Sequence, residues 1–207
     1  DQYHIFRQNS DLFYLTGIDQ EKTLLVLCPN NPNSQFREIL FIRKSSKTLE
    51  IWEGHKLTKD EASKISGINN VYWLDDFESV LPDLMFKVNN VYVNLNENSK
   101  YKRFYNDRDF RFIQDLKFQF PLHNYKRLAP IIIKNRLIKS PPEIKAIKKA
   151  CKITHNAFTR ILKYVKPGVT EYEIEAEITH EFIKNNITIR KNYYKYRYGM
   201  VKKIEKE

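Results

Sequence analysis

The sequence has 207 residues, of which 42% are hydrophobic, and a formal net charge of +11. This length suits one large domain or a domain and part of another, and the apolar content is sufficient for a buried core. No apolar run reaches the ~18–20 residues that a membrane span needs. Cys28 and Cys151 lie far apart without a C-x-x-C spacing. This argues against a disulfide framework or a zinc site and favours a reducing, cytoplasmic compartment.

The positive charge is unevenly distributed along the chain. Residues 187–207 contain five Lys, two Arg and two Glu, a net charge of +5, so the other 186 residues carry only +6. Four tyrosines fall among the cations of this tail, and such a mixture can bind single-stranded nucleic acid by stacking and charge neutralisation. A solvated basic segment explains the same composition more simply, so we expect no nucleic-acid partner.

The first 139 residues alternate between strand and helix patterns, which is typical of an α/β domain. Short apolar runs at 23–29 and 39–42 flank a polar turn at 30–33 and predict an antiparallel hairpin. Ile51 and Trp52 are assigned to a third strand. The remaining predicted elements are a helix at 58–67, a strand at 69–74, a helix capped by Asp75 or Asp76, a strand at 89–96, a helix at 99–118 and a connector at 128–137.

Two helices are predicted in residues 140–186. Ser140 with Glu143, and Thr170 with Glu173, have the spacing of capping boxes, and Pro167-Gly168 separates the two helices. Steps of three and four predict that each helix buries one apolar face. The predicted faces consist of Ile144, Ile147, Cys151, Thr154, Phe158, Ile161 and Val165 in the first helix, and Ile174, Ile178 and Phe182 in the second.

Three stretches resemble one family. RQNSDLFYLTG (7–17) is similar to the family's R-x-x-S-D-F-x-Y-L-T-G-F start, and EIWEGHKL (50–57) to its x-x-W-x-G-x-x-L stretch. Residues 136–186 are similar to its interdomain connector and first two catalytic-domain helices, most specifically at PGVTEYEIEAEITHEF. Over roughly residues 3–186 the chain thus resembles aminopeptidase P, the Xaa-Pro aminopeptidases of the creatinase/prolidase superfamily.

The resemblance implies a mixed-sheet, creatinase-type N-terminal α/β domain at 1–139, with its first strand missing. Residues 140–186 would be the truncated helical start of a pita-bread catalytic domain, and 187–207 a non-homologous tail. The intact family hydrolyses the bond before proline in Xaa-Pro peptides, with two manganese ions that lower the pKa of a bridging water. Homo-oligomers formed through the N-terminal domain are implied as well.

The metal ligands of the superfamily are two Asp, one His and two Glu, and all follow the position matched by Asn186. In this sequence the last aspartate is Asp115, and only Glu205 and Glu207 are acidic after Asn186, where no histidine occurs. We therefore predict no catalytic residue, no metal site and no activity of this chain alone. The chain is then a fragment, or its tail comes from a shifted reading frame. The alternative function is a non-catalytic module that binds protein or nucleic acid.

Trp52 is the candidate substrate-binding residue. In the family the tryptophan of this stretch helps line a substrate pocket near the catalytic domains of the oligomer, and an aromatic ring stacks well on proline. A core or interface position is the structural alternative. For Arg7, Arg136 and Lys139 we expect helix packing or surface salt bridges instead.

Histidine and cysteine patterns give no further site. The five histidines, His4, His55, His123, His155 and His180, show neither H-x-x-x-H nor H-E-x-x-H spacing, so none is assigned to a metal. Cys151 falls on the predicted apolar face and is expected in the core. Without the sheet of a complete second domain, the apolar faces of the 140–186 hairpin should be exposed, or covered by the tail or a partner chain.

Overall fold

The computed structural model describes residues 6–95, 97 and 107–185. The chain divides between Arg136 and Leu137 into two compact units. The helices and strands in order are α1 (Ser10–Thr16), β1 (Leu24–Leu27), β2 (Glu38–Ile42), α2 (Lys47–Glu53), α3 (Lys59–Ser66), β3 (Val71–Trp73), α4 (Phe77–Met85), β4 (Asn90–Val93), α5 (Arg108–Gln119), β5 (Asn124–Arg127), α6 (Ala129–Leu137), α7 (Pro141–Tyr164) and α8 (Glu171–Lys184).

Strand β2 is the centre of a three-stranded mixed sheet in the first unit. It pairs antiparallel with β1, with Leu25 opposite Leu40, and parallel with β3, with Phe41 opposite Tyr72. The parallel pair needs a crossover, and α2 and α3 supply it. The predicted hairpin and the predicted α/β mixed-sheet fold are therefore confirmed.

Both faces of β2 are covered. Leu40 and Ile42 point to one face and pack with Ala62 of α3, whereas Ile39 and Phe41 point to the other face and pack with helix α4. All four strand residues are fully buried. A strand buried on both faces is typical of a sheet with helices on each side, and this explains why β2 is a continuous apolar run.

A second, two-stranded sheet consists of β4 and β5, which are parallel, with Val91 opposite Tyr125. Helix α5 connects them and buries Leu116 against Met85 and Phe120. The hydroxyl of Tyr125 donates to the carbonyls of Leu116 and Phe120 at 2.9 and 2.8 Å. This hydroxyl connects the C-terminal end of α5 to strand β5 by hydrogen bonds.

Three parts of the first unit differ from the prediction. Ile51 and Trp52 lie in helix α2 and not in a strand, because the side chain of Ser46 caps a helix by accepting from the N–H of Leu49 at 3.2 Å. The 128–137 connector is helix α6, whose Pro130 occupies the first turn, where proline is tolerated. Strand β5 was not predicted, since its NYKR sequence has no apolar alternation. The first residues of the helix predicted at 99–118 lie outside the described residues, and α5 begins at Arg108.

Both predicted capping boxes are present in the second unit. The Glu143 carboxylate accepts from the N–H and hydroxyl of Ser140 at 2.8 and 2.7 Å, and Glu173 does the same for Thr170 at 2.7 and 2.6 Å. Glu177 of α8 forms an ion pair with Arg160 of α7. The two helices therefore begin where the sequence predicts and lie against each other.

The buried face of α7 is not the predicted one. Ile153, Ala157 and Ile161 are buried, as is Ile178 in α8. Of the predicted face, Ile161 is buried and Val165 is half-buried, whereas Ile144, Ile147, Cys151, Thr154 and Phe158 are exposed. The core position expected for Cys151 is thus wrong. The apolar faces expected to be exposed are only partly so: most of the predicted α7 face is exposed, whereas in α8 Ile178 is buried and Ile174 and Phe182 are half-buried. None of the described helices is long and apolar enough to span a membrane.

Candidate functional site

Helix α2 presents the candidate substrate-binding residue to solvent. Trp52 is 82% exposed and its neighbour Ile51 is 79% exposed. The helix has only seven residues and ends at Gly54, whose φ of 79° is the left-handed region that favours glycine. Because two large apolar side chains lie adjacent at a helix end, this surface can contact an apolar ligand or another protein surface. The exposure of Trp52 excludes a position in the core of the first unit.

Four charged residues form a network beside this helix, defined here as the clamp: Glu21, Arg43, Glu53 and Lys56. Arg43 Nη1 lies 3.2 Å from Glu21 Oε1 and 2.8 Å from Glu53 Oε2. Lys56 Nζ lies 2.7 Å from the same Glu21 oxygen and 3.3 Å from the same Glu53 oxygen. Each cation therefore contacts both carboxylates. Lys56 is only 8% exposed. Because a buried charge is costly unless it is paired, the two carboxylates stabilise the charged form of Lys56.

The pKa values of the clamp follow from these contacts. Partial burial raises the pKa of Glu21, but hydrogen bonding and charge from Lys56, with Arg43, outweigh burial and leave it below its ordinary value. Desolvation is likewise outweighed at Glu53, whose pKa is lowered by Lys56 and Arg43. Desolvation opposes the charge of Lys56, yet Glu21 and Glu53 raise its pKa above the ordinary value. The shifts of Glu21, Glu53 and Lys56 therefore all favour the charged forms of these side chains.

The clamp was not among the sequence predictions. Arg43 and Glu21 are 22 positions apart, and no periodicity links them. Only the E-x-x-K spacing of Glu53 and Lys56, within the W-x-G stretch, was visible as a short-range ion pair.

Among the cationic candidates, Arg136 has partners on helix α1. Arg136 forms an ion pair with Asp11 of α1, and its guanidinium lies 5.4 Å from the centre of the Tyr14 ring. Lys139 donates to the carbonyl of Leu137 at 3.3 Å, and Arg7 is exposed. Through these two contacts, Arg136 connects α6 to α1 within the first unit.

The histidines are scattered. His55 Nε2 lies 3.0 Å from Glu61, and His123 Nε2 lies 2.9 Å from the carbonyl of Met85. His155 and His180 are exposed, and His4 lies outside the described residues. Within 6–95, 97 and 107–185, no group of three His, Cys, Asp or Glu side chains could hold a metal ion. The described residues therefore contain no cluster of the kind that a metal site requires.

An acidic cleft of about 750 Å³ lies in the first unit, lined in part by Asp11, Asn94, Glu97, Asp107 and Asp109. Asn94 donates to Asp11 at 3.2 Å, and Asp107 caps α5 by accepting from an N–H at 2.7 Å. Burial, with the charge of Asp107, raises the pKa of Asp109. Asp11 and Asp107 therefore have structural roles, the first in contact with Asn94 and the second at the start of α5.

Two family models match the chain. The aminopeptidase P N-terminal domain matches residues 1–93, and metallopeptidase family M24 matches residues 145–201. The first match includes the clamp and Trp52. The match to metallopeptidase family M24 begins within α7 and continues beyond residue 186. It therefore includes most of residues 187–207, which the sequence composition predicts to be a non-homologous tail.

Curated relatives and solved structures agree with these models. The Xaa-Pro aminopeptidase of Escherichia coli is 30% identical over 190 residues, which are 88% of this chain and 41% of that protein. Human Xaa-Pro aminopeptidase 3 is 28% identical over 182 residues, 86% of this chain and 35% of that protein. The structure of E. coli aminopeptidase P matches with a TM-score of 0.71 and 28% identity, over 88% of this chain and 41% of that chain.

A Bacillus anthracis structure assigned to aminopeptidase P matches with a TM-score of 0.82 and 29% identity, over 89% of this chain and 44% of that chain. The fold and the two family models together define an α/β domain of the kind that precedes a metallopeptidase domain, followed by helices from the start of that second domain. The chain belongs to the aminopeptidase P family. It spans about two fifths of the length of the E. coli relative.

Proposed function

We propose that this chain supplies the N-terminal domain of a Xaa-Pro aminopeptidase, and that Trp52 contacts the substrate there. The observation that carries the proposal is the 30% identity to the E. coli Xaa-Pro aminopeptidase over 88% of this chain. The family model that matches residues 1–93 is that of an N-terminal domain, so the domain would act together with a catalytic domain. Xaa-Pro peptides are the proposed substrate class.

We further propose that these 207 residues do not hydrolyse peptides by themselves. A two-manganese site of the family kind needs two Asp, one His and two Glu. The sequence after Asn186 offers only Glu205 and Glu207 as ligands of these types. A metal site requires the full number of ligands before its geometry matters.

An activity assay tests this part. The purified chain is incubated with a Xaa-Pro peptide and added manganese, and release of the N-terminal residue is measured against the E. coli enzyme as positive control. We expect no turnover above a heat-denatured sample. Turnover that co-purifies with the chain through two different columns would overturn the proposal.

The role of Trp52 is tested by a graft. Residues 50–57 of this chain replace the corresponding W-x-G stretch of the E. coli enzyme, and Trp52→Ala and Trp52→Phe are made in the graft. We expect the graft to retain activity, the alanine variant to lower kcat/KM about fivefold, and the phenylalanine variant to retain most of it, because loss of about 1 kcal/mol of ring contact corresponds to a factor of about five. Equal kcat/KM for graft and alanine variant would exclude a substrate contact.

Oligomerisation through the N-terminal domain and a cytoplasmic location belong to the same proposal. The adjacent exposed Ile51 and Trp52 support the first, and the two free cysteines support the second. Light scattering after size exclusion should show a mass above 24.9 kDa. A monomer at all protein concentrations would contradict oligomerisation by this unit.

The segment 187–207 is proposed to derive from another reading frame. Its basic, tyrosine-rich composition supports this, whereas the family M24 match to residue 201 favours a related segment. Translation of the coding DNA beyond codon 186 in the other two frames decides between them. If neither frame encodes the next strand of the catalytic domain, the frameshift proposal is wrong.

A further inference from the structure

Helix α2 buries little apolar surface among its described side chains. None of its described side chains is buried, and only Leu49 and Glu50 are half-buried. A seven-residue helix is not stable by itself in water, since helix stability in proteins comes mostly from packing of an apolar face. Ile51 and Trp52, its largest apolar side chains, point to solvent. Polar contacts must therefore supply much of what positions this helix.

The clamp supplies such contacts at the C-terminal end of the helix. Glu53 is the last residue of α2, and its carboxylate contacts both Arg43, directly after strand β2, and Lys56, before helix α3. Both cations also contact Glu21, which precedes strand β1. The end of α2 is thus linked to three separate parts of the first unit through a partly buried set of charges.

Further contacts hold the same segment. Gln20, itself 5% exposed, accepts from the N–H of Leu57 at 2.8 Å. At the other end of α2, the hydroxyl of Ser45 donates to Glu50 at 2.7 Å. Glu21 is followed by Lys22, whose positive φ of 53° is uncommon for a side chain other than glycine. The turn that brings Glu21 to the cations therefore contains a backbone conformation that is uncommon for a residue other than glycine.

We propose that Glu21, Arg43, Glu53 and Lys56 are positioning residues that fix helix α2 and thereby hold Trp52 in one orientation. The consequence for substrate binding rests on the proposed function, whereas the effect on the position of Trp52 does not. A preorganised aromatic side chain contacts its ligand without first losing conformational freedom, so the clamp favours binding through a residue that it does not touch.

The mobility of Trp52 is measured directly in the full chain. Trp52 and Trp73 are the two tryptophans, so Trp73→Phe leaves Trp52 as the sole tryptophan reporter. In this background we compare Glu53→Gln, Arg43→Met and Arg43→Lys. The lysine variant is informative because Arg43 uses one nitrogen, Nη1, for both carboxylates, and an ammonium group can replace that nitrogen.

We expect the Trp52 fluorescence anisotropy to fall in Glu53→Gln and Arg43→Met, with recovery in Arg43→Lys. Hydrogen exchange of the α2 amides should accelerate at least tenfold in the first two variants, while exchange in β2 stays unchanged. Arg160→Met, which removes an ion pair in the second unit, is the matched control and should leave both readouts unaltered. Because Glu53 is partly exposed and Glu21 remains to pair both cations, Glu53→Gln is expected to fold.

Unchanged anisotropy and α2 exchange in folded Glu53→Gln and Arg43→Met would overturn the inference. Faster exchange throughout β2 as well would also overturn it, because the clamp would then be a general stability element. The same substitutions have a separate outcome for the proposed function. If Trp52 becomes mobile but the Trp52→Ala graft retains its kcat/KM, the positioning role stands and the substrate contact fails.

Discussion

The two tryptophans of this chain provide a matched pair of substitutions. Trp52 is 82% exposed, so it buries about a fifth of its surface. A fully buried tryptophan removes ~250 Å² from water. One fifth of that area, at ~25 cal/mol/Å², is about 1 kcal/mol. Alanine regains about 0.5 kcal/mol through its higher helix propensity. Trp52→Ala should therefore lower the free energy of unfolding by only about 0.5 kcal/mol.

Trp73 is the internal comparison. It lies in β3 opposite Ile42, packs against the cluster that contains Leu40 and Ile42, and has the ammonium of Lys59 4.8 Å from its ring centre. Trp73→Ala should cost about 3 kcal/mol, the lower end for a large aromatic residue, because Trp73 is half-buried.

Urea denaturation followed by far-UV circular dichroism measures both free energies of unfolding. Equal destabilisation by the two alanine variants would show that Trp52 is a packing residue, and would refute its assignment as a surface residue available to a ligand.

Three further predictions concern stability. Because the folded pKa values of Glu21 and Glu53 are lowered, their stabilising contribution is present above their unfolded pKa of about 4.3. It is lost as the pH falls through the lowered folded values. The raised pKa of Lys56 adds stability that is lost as the pH rises through that raised value. Because Glu53→Gln removes one of the two carboxylates, the variant should show a weaker pH dependence of the urea midpoint in acid than the parent chain. Parallel curves for the two proteins would contradict this. Gly67→Ala should cost about 1 kcal/mol, since Gly67 has a φ of 74° and no atom lies within 4 Å of an added Cβ; a neutral effect in thermal unfolding would refute backbone strain as the cause. Ile161→Ala should cost about 2–4 kcal/mol, because Ile161 of α7 is 7% exposed, whereas Leu162→Ala, at 80% exposure, should be nearly neutral; the reverse order would contradict the burial of Ile161.

Much of the fold follows from local sequence signals. Capping boxes at Thr58, Ser140 and Thr170 locate the starts of α3, α7 and α8, because their hydrogen bonds join residues three positions apart. The strands β1 to β4 follow from short apolar runs. The same type of signal begins α2, where Ser46 caps a helix although Ile51 and Trp52 favour a strand by composition.

Other features depend on contacts between distant parts of the chain. Strand β5 has a polar sequence and exists as a strand through its pairing with β4. In α7, which contacts α8, the residues Ile153, Ala157 and Ile161 are buried, whereas Ile144 and Ile147 are exposed. Periodicity defines which residues share a helix face, but it does not identify the neighbour that covers the face.

The candidate site divides in the same way. The sequence by itself indicated the family and made Trp52 a candidate, because both inferences depend on short patterns such as W-x-G within one stretch of chain. Tertiary structure decided that Trp52 lies on an exposed helix and that Glu21 and Arg43, 22 positions apart, meet beside it. The physical reason is that charge pairing acts through space over a few ångströms, and only the folded path of β1, β2 and the loop to α3 brings those charges together.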